Sequence, residues 1–223
     1  MHHLQVFRSS GSRKVASVDK RPPSITPVTL PGDRWCATLR GVNKCVIVVD
    51  NSNIFIEGQK QSAKVKGQQN GDRNTCDPSW RIDFGQLLQR LADGRSIHAA
   101  ILVGSRPPAN DSVWKSAEQL GFAVTVHDRD SQRREKAVDT ELVAQGTEVI
   151  VDAKEPMVLV IASGDRDFIP LVSVAHRRKW QVEMAAFSSA FSSTGEMATS
   201  VDKVRPLEID FKAIGYHAFK WPI

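Results

Sequence analysis

Two aspartates one residue apart, Asp165 and Asp167 in Ser163-Gly164-Asp165-Arg166-Asp167-Phe168, are the strongest chemical signal in this chain. A helix cap accounts for one aspartate. Two at this spacing repel each other unless a cation is shared. Asp50 directly follows the run Val46-Ile47-Val48-Val49, with Asn51 and Asn53 just behind it. Taken alone it reads as a cap ahead of Ile54-Phe55-Ile56. Asp139 lies between Val138 and Leu142, an i, i+4 apolar pair, which places it at the core boundary near the start of a helix. Taken alone it reads as a first-turn acid facing the helix dipole. Together these residues offer carboxylate oxygens and no Cys/His set, the donor chemistry that suits Mg²⁺ or Mn²⁺. One or two such ions activate water and stabilise charge developing on phosphorus, so no side-chain nucleophile is needed.

The elements that must position these acids are visible as short apolar runs. Cys45 to Val49, Ile97 to Val103, Phe122 to Val126, Met157 to Ala162 and Val182 to Phe187 read as strands buried on both faces. Helical spacing fills the intervals: Phe84-Leu87-Leu88-Leu91, Val113 to Leu120, Val138-Leu142-Val143 and Phe168 to Arg178. Such alternation predicts an α/β fold in which a parallel sheet is covered on both sides and functional loops gather at the strands' carboxyl ends. Asp50 and the Asp165–Asp167 pair both follow strands, and so fall on that edge. Residues 57–80 form a polar insertion, expected either to cover the site or to be a mobile loop. Residues 209–223 read as a small terminal packing segment.

With 223 residues, 41% of them apolar, the chain suits one globular domain with a tail. The net charge of +5 is no evidence that the domain binds polyanions, because eight Lys/Arg against two acids lie in residues 1–44. That basic, Pro- and Ser-containing tail reads as a flexible leader in preference to an organellar transit peptide. Cys36, Cys45 and Cys76 lack metal-ligand spacing and suggest no disulfide framework, which points to the cytoplasm. No apolar run reaches the roughly 18 residues of a membrane span, and no secretory signal core is present. There is no GxxxxGK[ST] phosphate loop and no GxSxG elbow. An aspartate-dependent phosphatase would need a second Asp two residues after Asp50, where Ser52 stands.

Three ordered motifs resemble the NYN domain family, within the PIN-like and flap-nuclease-like superfamily. They are Val48-Val49-Asp50-Asn51-Ser52-Asn53, Glu135-Lys136-Ala137-Val138-Asp139 and Ser163 to Phe168, with Ser200-Val201-Asp202-Lys203-Val204 resembling the closing segment. The resemblance covers the predicted domain at 45–208. It implies a three-layer α/β/α sandwich with a mostly parallel sheet of five to six strands, PIN-like or Rossmann-like. It also implies an Mg²⁺- or Mn²⁺-dependent ribonuclease that hydrolyses phosphodiesters with metal-activated water. Carried over by position, Asp50, Asp139, Asp165 and Asp167 are the metal and catalytic acids. Asn53 would orient a water or ligand beside Asp50, and the Ser163 hydroxyl would hold a metal-bound water. Among nearby cations, Arg106, Arg133 and Lys136 are candidates for RNA phosphate contact, with a solvated loop as the plain alternative. Trp80 and Trp114 are either base-stacking residues or core anchors. DNA as substrate and a homo-oligomeric state stay open. The competing reading is a weak or inactive module that binds RNA or a protein partner in a regulatory role.

Overall fold

The computed structural model describes residues 43–105, 112–127 and 134–218, with only the backbone for 134–137. The β-branched run after Asn43 forms β1 (Lys44–Asp50), whose residues beyond Lys44 are all buried. The other predicted strands follow as β3 (Ser96–Ser105), β4 (Ala123–His127), β5 (Val158–Ala162) and β6 (Gln181–Ala186), with β7 (Lys203–Pro206) added at the edge. They form one six-stranded sheet in the order β4-β3-β1-β5-β6-β7, and every adjacent pair is parallel. This is the strand order of a doubly wound dinucleotide-type fold, in which the chain first builds outward from one side of β1 and then from the other.

Side chains alternate across the sheet as the pleat requires. Cys45, Ile47 and Val49 join Leu102, Val160 and Phe187 in one core, beneath α1 (Asn51–Val65) and α2 (Phe84–Ala92). Val46 and Val48 join Ile101, Leu159, Ile161 and Met184 in a second core on the opposite face. The second core is closed by α4 (Arg134–Asp152) and α5 (Ile169–Arg177). The α/β/α sandwich expected from the alternation is therefore the fold observed. The apolar stripe Phe84-Leu87-Leu88-Leu91 is the buried face of α2, and Asp83 caps that helix by accepting from Gln86 N at 2.9 Å. Arg177 ends α5, where a cation offsets the helix dipole.

The stretch 57–80 is neither a lid nor one loop. Its first nine residues continue α1, which accommodates Gly58 at the point where the Trp80 ring leaves no room for a side chain. Its far end is tied down by Asp77, which is fully buried. Asp77 accepts from Ser62 Oγ and Ser79 Oγ, each at 2.6 Å, and pairs with Lys66 Nζ at 2.7 Å. His217 Nε2 lies 3.0 Å from Ser62 Oγ and 3.4 Å from Asp77 Oδ2. Although Ser, His and Asp meet here, one ring nitrogen faces both partners, so the group is a clamp and not a relay that activates the serine.

The clamp closes a small antiparallel ribbon of β2 (Trp80–Ile82) and β8 (Gly215–His217). Trp80 is 1% exposed, stacks on Phe211 at 5.9 Å and meets Phe187 edge-on at 6.5 Å. Trp114, in α3 (Ser112–Gln119), is also buried, so neither tryptophan is available to stack on a base. Cys45 is a buried thiol and Cys76 an exposed one, both free. No described helix is long and apolar enough to cross a membrane.

Candidate metal centre

The acids gather where the sheet changes direction. β1 ends at Asp50, and its neighbour β5 ends at Ala162, so the two carboxyl ends open side by side at the topological switch point. In open α/β sheets this crevice is where ligands bind. After β5, Ser163 and Gly164 turn the chain into a 3₁₀ turn at Arg166–Phe168. Asp165 caps that turn by accepting from Asp167 N at 3.0 Å, which directs the two aspartates into one space.

Asp139 enters from α4. The helix begins at Arg134, so Asp139 lies in its second turn and not at its start. Residues 134–136 are charged and carry no apolar periodicity, which hid the first turn. The dipole role is thereby excluded, because that effect fades within the first turn. One carboxylate oxygen each from Asp139, Asp165 and Asp167 lie within 4.8 Å of one another. Three hard oxygen donors at this separation suit an ion that keeps part of its water shell.

Asp50 is not part of this trio, yet it is linked to it. It is 6% exposed and caps α1 by accepting from Asn53 N at 3.1 Å. Ser163 Oγ donates to Asp50 Oδ2 at 3.2 Å and accepts from Asp165 N at 3.2 Å. The Ser163 hydroxyl thus joins the two acidic positions. Burial pushes the Asp50 carboxyl above its ordinary value. The hydrogen bonds from Asn53, Ser163 and Ser52 oppose this, and the negative charge of Asp165 adds to it. A buried carboxyl that resists ionisation beside other acids is relieved by a cation. Asn53 Oδ1 is buried and has no hydrogen-bond partner among the described residues. One unsatisfied acceptor therefore sits a turn away from Asp50.

Of the cations expected to meet RNA, Arg106 and Arg133 lie outside the described residues, as does the Lys136 side chain. Sequence reasoning missed the segment after β6. Ala190 packs against Gly164, where a Cβ would meet its carbonyl oxygen at 2.8 Å. Ala190, Phe191, Ser192 and Glu196 then line a cleft with Asp165 and Arg166. The signal was available, because this loop leaves the carboxyl end of a predicted strand.

Comparison with known proteins agrees with this architecture. No curated protein matches the chain. A solved protein of unknown function from Vibrio parahaemolyticus is similar in structure, with a TM-score of 0.56 at 17% identity, covering 78% of this chain and 99% of that one. At that identity the likeness shows the fold alone. The NYN domain matches residues 44–208, which hold the whole sheet and all four acids. By that match, the chain belongs to the NYN domain family.

Proposed function

We propose that the protein is a divalent-metal-dependent ribonuclease. The observation that carries this reading is the meeting of Asp139, Asp165 and Asp167 oxygens within 4.8 Å at the sheet's switch point. Those three residues would hold Mg²⁺ or Mn²⁺, with Asp50 joined to them through Ser163. When bound, such an ion supplies Lewis-acid activation of water and neutralises charge on the phosphate. The chain's own part is to fix the acids. Ser163 locks Asp50 to the Asp165 turn, and the Asp165 cap orients Asp167. Asn53 has a buried carbonyl oxygen free to accept from a water beside Asp50. The family supports a nucleic-acid substrate, and RNA is our assignment within that class.

Purified protein should cut a short single-stranded RNA in Mn²⁺ and stop in EDTA. Asp165→Asn and Asp139→Asn, purified in parallel, should each lower the rate by about 100-fold or more, since each removes a direct ligand. Undiminished cleavage by both variants would show that the activity comes from elsewhere.

A further inference from the structure

A cleft of about 430 Å³ opens beside the acid cluster, between the Gly164–Arg166 turn and the segment from Ala190 to Met197. Asp165 lines it and also belongs to the cluster, so an occupant lies against the reacting centre. The volume falls within the range of roughly 300–1,000 Å³ typical of small-molecule sites. Its walls are chemically mixed. Phe191 is half-buried, packs on the second core and lines the cleft. Arg166 brings an exposed cation, while Ser192 and Glu196 bring an exposed hydroxyl and carboxylate.

These walls are held in place. Gly164 contacts the Ala190 backbone too closely for a side chain to intervene. Ala190 N donates to Phe187 O and Gly195 N to Ser192 O, each at 2.9 Å. Ser189 Oγ donates to the buried Glu57 at 2.5 Å, tying the segment to α1. Binding a phosphodiester backbone alone would require cations and no aromatic wall.

We propose that this cleft seats the nucleobase next to the scissile bond and selects guanine, an inference that rests on the ribonuclease reading above. An ionised carboxylate is an acceptor only. Guanine presents two adjacent donors on its pairing edge, N1–H and N2–H, which Glu196 takes together. Uracil presents one donor between two carbonyls that repel a carboxylate, and adenine and cytosine each set an amino group beside an acceptor. Phe191 supplies the stacking face, and Arg166, one residue from Asp165, meets the adjoining phosphate.

The direct test needs no metal and no turnover. Guanosine 5′-monophosphate and uridine 5′-monophosphate are titrated into the full chain in EDTA and followed by amide NMR. Guanosine monophosphate should shift amides in 164–166 and 190–197 and bind more tightly than uridine monophosphate. Phe191→Leu keeps the packing but removes the ring, and should weaken guanosine monophosphate roughly 5- to 100-fold, the factor one stacking contact commands. Phe191→Tyr should restore it, and Glu196→Gln should erase the preference over uridine. Equal affinity for the two nucleotides, or shifts confined to other regions, overturns the proposal. Cleavage mapping on a mixed-sequence RNA in Mn²⁺ separates the two readings. Loss of all cleavage sinks the ribonuclease assignment while the titration still decides the pocket. Cleavage indifferent to guanine, with a flat titration, sinks the pocket alone.

Discussion

Asp50 carries two roles that oppose each other when no cation is present. It caps α1, which any short acceptor side chain can do, and it is buried next to Asp165, which penalises its charge. Its folded pKa is raised, so its contribution to stability is full below the ordinary carboxylate value and is lost as pH rises through the folded one. Asp50→Asn keeps the cap through its amide oxygen, since Asn ranks with Asp at that position, and its amide nitrogen then donates to Ser163 Oγ where Oδ2 accepted. The variant should therefore melt at a higher temperature than wild type in EDTA at neutral pH, with the gap shrinking at pH 4. A melting point lowered at both pH values would mean that the Asp50 charge is already compensated by the protein. The acids could be read in the sequence because each follows a strand or sits beside an apolar pair. The commitment of Ser163 could not, because its partner Asp50 lies 113 residues away and only the sheet joins them. Phe191 was hidden for a similar reason: it stands among serines, and only the fold brings it to the cleft beside Gly164 and Asp165.

The clamp around Asp77 holds α1 to the β2–β8 ribbon, and its stability follows from charge. Burial by itself would raise the Asp77 carboxyl, but Lys66, Ser62 and Ser79 outweigh it and hold it far below the usual carboxylate range. A depressed folded pKa gives stability that is present above the ordinary value and lost only as pH falls through the folded one. Hydrogen exchange of the ribbon amides should accordingly stay slow down to about pH 4 and rise only in stronger acid. Asp77→Ala removes the acceptor shared by Lys66, Ser62 and Ser79, and since Lys66 still reaches solvent it should cost about 1–3 kcal/mol by urea unfolding at neutral pH. On the same helix, a Cβ at Gly58 would lie 2.2 Å from the Trp80 ring. Gly58→Ala should thus destabilise by about 1–3 kcal/mol, although alanine favours helices. The five long strands were legible to within a residue or two because buried β-branched runs admit few other readings. The strands β2, β7 and β8 were not, since three or four residues are too few to display a period.

At the scale of the whole molecule, a cation at the acid cluster should stabilise the entire domain, since an ion bound only by the folded state adds its binding energy to folding. Mn²⁺ at 100 times its dissociation constant adds about 2.7 kcal/mol, which should raise the melting point by roughly 5–10 °C. The Asp139→Asn, Asp165→Asn double variant should show no such shift, and an equal shift in that variant would place the ion elsewhere. Alternating elements announce a parallel sheet, but the right-handed crossover rule does not say on which side of β1 the strand β5 will lie. That choice makes the site: with β5 against β1, Asp50 and Asp165 become neighbours, and with β5 at the far edge they would not. It also orders events in time. A chain leaving the ribosome presents Asp50 early, then must extend past Asp167 and lay β5 into the sheet before the acids meet. The growing polypeptide thus cannot assemble its acid cluster until most of it has been made.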